Sequence, residues 1–306
     1  MHTIRFLAAA LALAIAFAAP VASAREITHA MGVTQVPDAP QRVVILTNEG
    51  TEALIDLGVT PLAAVRSIVG DPWYPHIAEA MEGVTDVGDE DAPNLEAIAA
   101  LEPDLIIGIK VRHEGIYDQL SAIAPTVMSN VFEGEWMENY RLYAEALGLA
   151  DKGEARLAAF EARIAALRHA LGERVADEIS LVRFRGGGRT SIRAPNTFAG
   201  DILTRIGFAR PGAQAGLTDS PEIGKERIPE MDGDVIFYFT RESGDGEGLA
   251  AETEWTNDPL WLGLDAVKAG ATHRVDDAVW NIAGGILAAH LVLDDIAAFY
   301  EVELER

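Results

Sequence analysis

Two stretches of the chain repeat one another 130 residues apart. The first is Glu96-Ala-Ile98-Ala-Ala-Leu101-Glu-Pro-Asp104-Leu105-Ile106-Ile107, and the second is Glu226-Arg-Ile228-Pro-Glu-Met231-Asp-Gly-Asp234-Val235-Ile236-Phe237. Each opens with a glutamate and carries apolar residues two and five positions later, on one helical face. Each then breaks at a Pro-Asp or Gly-Asp corner and runs into an apolar strand. A short helix feeding a buried strand is half of a βαβ unit, so the repeat predicts two similar α/β lobes.

The rest of the pattern agrees. In the first half, apolar strands at 42–47, 61–65, 84–88, 105–109 and 126–128 alternate with helical stretches, as in a parallel sheet covered on both faces. From Asp151 to about Val175, Leu157, Phe160, Ile164, Leu167 and Leu171 recur at three- and four-residue spacing. No Gly or Pro interrupts Glu154 to Leu171, which predicts one rigid helix of roughly 30 Å between the repeated phrases. The second half restarts with strands at 179–185 and 190–193 around Gly186-Gly187-Gly188, then a strand at 235–240. An acidic loop follows at 242–254, then a helix at 259–267, a strand at 273–275 and a long helix from about Gly284 to Leu304. The expected divisions are a leader at 1–24, an N-terminal lobe at 25–150, a connecting helix at 151–175 and a C-terminal lobe at 176–306. The fold class is α/β, two Rossmann-like lobes with mainly parallel sheets joined by one long rigid helix.

Met1 to Arg5, the apolar run Phe6 to Ala19 and Ala22-Ser23-Ala24 read as a cleaved export signal. There is no cysteine, hence neither a disulfide nor a site for a thioether-linked lipid. The expected location is a Gram-negative periplasm. The net charge of −24 argues against nucleic acid or anionic membranes as partners. Only four lysines accompany twenty arginines, so an anionic ligand would have to be captured by local arginines against an unfavourable mean field.

The chain resembles the helical-backbone class of substrate-binding proteins of ABC importers. The likeness runs from about Gln41 to Tyr300. Particular phrases are similar to the iron-siderophore and iron(III)-dicitrate subgroup: Thr47-Asn-Glu-Gly-Thr-Glu-Ala-Leu54, Gly70-Asp-Pro-Trp-Tyr74, Pro93-Asn-Leu-Glu96, Ile123-Ala-Pro-Thr126, Glu254-Trp-Thr-Asn257, and Trp280-Asn281 with Gly284-Gly285. The resemblance implies a receptor for ferric siderophore or ferric citrate, acting as a monomer that delivers its cargo to permease subunits. It also implies that Glu96 and Glu226 are exposed knobs, one per lobe, that engage permease arginines. Each glutamate also stands at a helix start, where the helix dipole alone favours negative charge. Binding of haem or cobalamin is the alternative within this class, and a periplasmic enzyme or chelatase the alternative outside it.

Ferric chelates of this kind present paired anionic oxygens, which the planar arginine fork suits. In open α/β sheets the ligand crevice lies beyond the carboxyl ends of the strands. Arg183 and Arg185 sit two apart near the end of one strand, either at an anion site or on a solvated edge. Arg112 follows the 105–109 strand, as a ligand group or paired with Glu114 or Asp118; the resemblance favours the ligand role for Arg112 and Arg183. Arg66 and Arg241 also follow strands. Trp73, Trp255 and Trp280 fall outside regular apolar faces and either line a ligand mouth or plug the end of a core.

The mature histidines show no paired metal-binding spacing, so no cofactor is expected and iron would arrive already chelated. No Gly-x-Ser-x-Gly elbow, phosphate-binding Gly-x-x-x-x-Gly-Lys loop or His-Glu-x-x-His motif supports an enzyme.

Overall fold

In both repeats the aspartate at the corner is a structural clasp. Asp104 accepts the backbone N–H groups of Gln41 and Arg42 at 2.8 and 2.9 Å, fixing the entry of the neighbouring strand. Asp234 does the same for Glu178, at 2.8 Å. The apolar positions of the repeat face inward, with Ile98, Ile228 and Met231 fully covered.

The structure is a computed structural model that describes residues 24–130 and 135–305; all of the expected leader except Ala24 lies outside them. It opens with a hairpin, β1 (Ala24–His29) and β2 (Gly32–Pro37), which the sequence pattern does not announce. Next come β3 (Val43–Ile45), α1 (Asn48–Asp56), β4 (Ala63–Ala64), β5 (Thr85–Asp86) and a small hairpin, β6 (Gly88–Asp89) with β7 (Ala92–Pro93). Then follow α2 (Leu95–Ala100), β8 (Leu105–Ile109), α3 (Lys110–His113), α4 (Tyr117–Ile123), β9 (Thr126–Ser129) and α5 (Trp136–Ala146). The first sheet runs β5-β4-β3-β8-β9 and is parallel throughout.

After α6 (Ala150–Leu171) the chain forms β10 (Ile179–Arg185), β11 (Arg189–Ile192), α7 (Phe198–Ile206), β12 (Glu222–Ile223) and β13 (Val235–Arg241). It ends with α8 (Glu247–Thr256), α9 (Pro259–Leu262), α10 (Asp265–Lys268), β14 (Thr272–Arg274) and α11 (Ile286–Phe299). The second sheet runs β12-β11-β10-β13-β14, with β10, β13 and β14 parallel and the hairpin side antiparallel. In each sheet the strand that ends the repeated phrase, β8 or β13, pairs parallel with the strand its aspartate clasps. The chain is thus an α/β protein of two similar lobes with α6 between their sequences.

Several boundaries differ from the pattern. Thr47 caps α1 by accepting the Gly50 N–H at 3.0 Å, so that helix begins earlier than its apolar residues suggest. The stretch after Glu226 is a 3-10 helix with Pro229 inside it, a residue whose ring crowds the preceding turn of a regular α-helix. The segment at 242–254 is not all loop, since α8 starts at Glu247. The connecting helix stops at Leu171, where Gly172 adopts φ +57° and a 3-10 turn takes over.

Helix α6 grips both lobes. Its apolar stripe of Leu157, Phe160, Ile164, Leu167 and Leu171 is buried. Near its start Lys152 Nζ donates to Leu57 O at 2.8 Å, just past the end of α1. Near its end Arg168 Nε donates to Ile206 O at 2.6 Å, the last residue of α7. A cation therefore meets the carbonyl end of one helix in each lobe, where the helix dipole favours it. A second tie comes from α11, which packs on α1, α6 and α7. The buried Glu52 of α1 lies 2.6 Å from His76 Nε2 and accepts the Ala288 N–H at 2.8 Å. With no Pro or Gly in its middle and cross-lobe ties at both ends, α6 is a stiff connector.

Candidate functional site

The start of α1 after β3, the turn between β6 and β7, the helix after β8, the start of α5, strand β10, the residue after β11, the start of α7 and the segment before α11 converge on one cleft. It encloses about 310 Å³ and is lined by Asn48, Glu49, Ile68, Glu90, Arg112, Trp136, Arg183, Arg193, Phe198 and residues 281–284. The contributions that follow β3, β8 and β9 stand where open α/β sheets place their ligand crevice.

The cleft holds three arginines. Arg112, on α3, bridges Glu90 Oε1 at 3.2 Å and also Asp91; these partners replace the Glu114 or Asp118 expected from sequence. Arg183 on β10 pairs with Asp277 at 2.9 Å, and both side chains are largely covered. Arg193 directly follows β11.

The acidic residues of the cleft behave differently. Burial pushes Glu49 up to about 8, outweighing the hydrogen bonds from Tyr143 and Asn139 that favour its ionised form. Burial also raises Glu90, against the opposing pull of Asn48 and Arg112. Burial therefore works against ionisation of both acids, while arginine stays protonated. Trp136 forms an apolar wall, edge-on to Phe160 and Phe198 at 5.4 and 5.9 Å between ring centres. Its indole Nε1 is buried without an acceptor among the described residues.

The other residues singled out from sequence lie elsewhere. Arg185 pairs with Glu222 on β12, away from the cleft lining. Arg66 is exposed and bridges Asp86 at 3.1 Å and Asp89 at 3.5 Å. Arg241 ends β13, where Gly248 packs so tightly on its carbonyl that a Cβ would collide.

The three tryptophans do not line the cleft, because each fills a core. Trp73 and Trp280 belong to the main core, with Trp280 Nε1 donating to Asp295 at 2.7 Å. Trp255 packs against Phe184 in the second lobe. Sequence reasoning missed Arg193, Trp136, Glu49 and Asn48. The rule that selects arginines after strands applies to Arg193, whereas nothing local distinguishes Trp136.

Glu96 and Glu226 are exposed at the starts of their short helices, remote from the cleft lining. No cluster of three metal-ligating side chains occurs among the described residues.

A family model for periplasmic binding proteins matches residues 43–278. The chain belongs to this family. Its members bind cargo rather than transform it, so the chain is a binding protein and not an enzyme. Among relatives of this periplasmic binding protein, the "Probable siderophore-binding lipoprotein YfiY" of Bacillus subtilis is 47% identical over 289 residues, covering 90% of this chain and 87% of that one. The Fe(3+) dicitrate-binding periplasmic protein FecB of Escherichia coli is 30% identical over 306 residues, covering 97% and 96%. The crystal structure of Staphylococcus aureus SirA complexed with staphyloferrin B superposes with a TM-score of 0.83 at 34% identity, covering 91% of this chain and 99% of that one.

Proposed function

We propose that this protein captures an anionic ferric chelate, a siderophore or ferric citrate, in the arginine-lined cleft and delivers it to an ABC importer. The observation that carries this reading is the convergence of Arg112, Arg183 and Arg193 on one cavity whose buried acids are driven toward neutrality. Such a site offers cationic forks, held in place by acids such as Asp277 and Asp91, to paired anionic oxygens of a ligand. The relatives named for siderophore and ferric dicitrate binding, and the similar protein solved with staphyloferrin B, support the same ligand class. Iron enters as part of the cargo, held by its chelator rather than by protein side chains.

Residence in the periplasm without a lipid anchor belongs to the same proposal. One relative is a lipoprotein and another a periplasmic protein, while this chain contains no cysteine to carry a thioether-linked lipid. Growth with radiolabelled fatty acid checks it, and label on the protein would refute it. Delivery is proposed to use Glu96 and Glu226, one exposed carboxylate per lobe at equal places in the repeat.

Native mass spectrometry against a panel of ferric citrate, ferric staphyloferrin B, haem and cobalamin tests the ligand class. A one-to-one complex with a ferric chelate is expected. Capture of haem or cobalamin with no ferric chelate bound would overturn the reading.

A further inference from the structure

Glu49 is the second residue of α1, 7% exposed, and lines the cleft with Arg112, Arg183 and Arg193. Its Oε1 accepts two hydrogen bonds, from Tyr143 Oη at 2.8 Å and from Asn139 Nδ2 at 2.7 Å. Tyr143 Oη also lies 2.8 Å from Ser129 Oγ, so the phenol can donate to Glu49 while accepting from the serine. Among the described residues no Arg or Lys forms an ion pair with Glu49. Both acceptor bonds fall on one oxygen, which leaves Oε2 to carry a proton and to meet a ligand.

We propose that Glu49 stands in the cleft as an uncharged carboxylic acid and donates a hydrogen bond from Oε2 to an anionic oxygen of the bound chelate, a role that rests on the ligand class proposed above. The titratable groups acting on it are Tyr143 on α5, Glu52 on α1 and Glu90 between β6 and β7, and the three cleft arginines line the same cavity. Burial is the main cause of its protonation, and the nearby carboxyls of Glu90 and Glu52 add to it. An ionised Glu49 would repel the ligand that the arginines attract. In its acid form the same side chain becomes a donor, and the cleft gains a recognition element for carboxylate, hydroxamate or catecholate oxygen without adding negative charge.

The test pairs a ligand-free readout with a binding readout. Glu49→Gln keeps an oxygen for Tyr143 and Asn139 and a donor that does not titrate. Infrared difference spectra of wild type against Glu49→Gln should show a protonated carboxyl band at neutral pH that is lost well above pH 8. Absence of that band at neutral pH overturns the proposal. Calorimetric titrations with ferric citrate and ferric staphyloferrin B follow both proteins across the same range. The ratio of the two affinities at each pH cancels protonation of the chelate itself. Wild-type affinity should fall relative to Glu49→Gln by about tenfold per pH unit once Glu49 ionises. Binding with a constant ratio overturns the donor role. If wild type binds neither chelate at any pH, the ligand class fails and the donor role with it, a result distinct from a constant ratio.

Discussion

Arg183 Nη2 lies 2.9 Å from Asp277 Oδ2, and the two side chains keep only 13% and 8% of their exposure. The pair joins the central strand of the second sheet to the segment leading into α11, at the edge of the cleft. Removing one member of a covered ion pair strands the other charge. Arg183→Ala should therefore lower the unfolding free energy by about 3–5 kcal/mol. Replacing both members with apolar residues should recover most of that loss. Chemical denaturation of the single and double variants checks this, and equal losses would contradict it.

Ligand affinity should divide the arginines by place. Arg112→Ala and Arg193→Ala each remove a charged donor from the cleft and should weaken chelate binding by about 1.5–3 kcal/mol. Arg185→Ala and Arg66→Ala, whose guanidinium groups bridge acids outside the cleft, should leave affinity unchanged. Isothermal titration of the four variants decides it. A loss in Arg185→Ala equal to that in Arg193→Ala would refute the division.

Acid should destabilise the fold through its buried histidines. His113 is fully covered, with Nδ1 accepting the Ile109 N–H at 3.0 Å and Nε2 donating to Glu90 O at 2.8 Å, an arrangement only the neutral ring satisfies. Burial lowers its pKa from 6.5, and does the same for His29 and His290. Below that pH the unfolded chain binds protons that the folded chain refuses, so stability falls as pH falls. The stability conferred by a neutral His113 is present above about pH 6.5 and drains away beneath it. His113→Gln should flatten part of the acid limb of a stability–pH curve. A limb of unchanged slope would show that His113 titrates alike in both states.

Charge reversal separates docking from binding. Glu96→Arg with Glu226→Arg should keep chelate affinity, because neither residue lines the cleft, and should abolish ATP-driven uptake by facing like charge with like. Exposed charges of this kind contribute little to stability, so the variant should fold normally. Transport at the wild-type rate would make both glutamates ordinary helix-start residues.

The fold was legible because its signals are local. A repeated helix, corner and strand needs an aspartate to clasp the next strand, and Asp104 and Asp234 stand where that chemistry requires them. The α6 stripe is likewise written in spacing that any straight helix must obey. The cleft was only half legible. Arginines after strands follow from topology, which led to Arg112 and Arg183, and the same rule extends to Arg193. Tryptophans outside apolar periodicity carry no such information. Trp255 reads as part of an acidic loop yet lies on α8, packed into a core, while Trp136 reaches the cleft through the placement of α5. The state of Glu49 depends on burial beneath α5 and on Tyr143, almost 100 residues away in sequence, and no local pattern encodes that.

The central claim is that the three cleft arginines hold the ferric chelate, and a crystal structure of the complex tests it most directly. Anionic oxygens of the chelate should lie within hydrogen-bond distance, about 2.7–3.2 Å, of the guanidinium groups of Arg112, Arg183 and Arg193. A chelate seated elsewhere, for instance in the groove formed by Arg156, Arg163 and His290 between α6 and α11, would contradict the account.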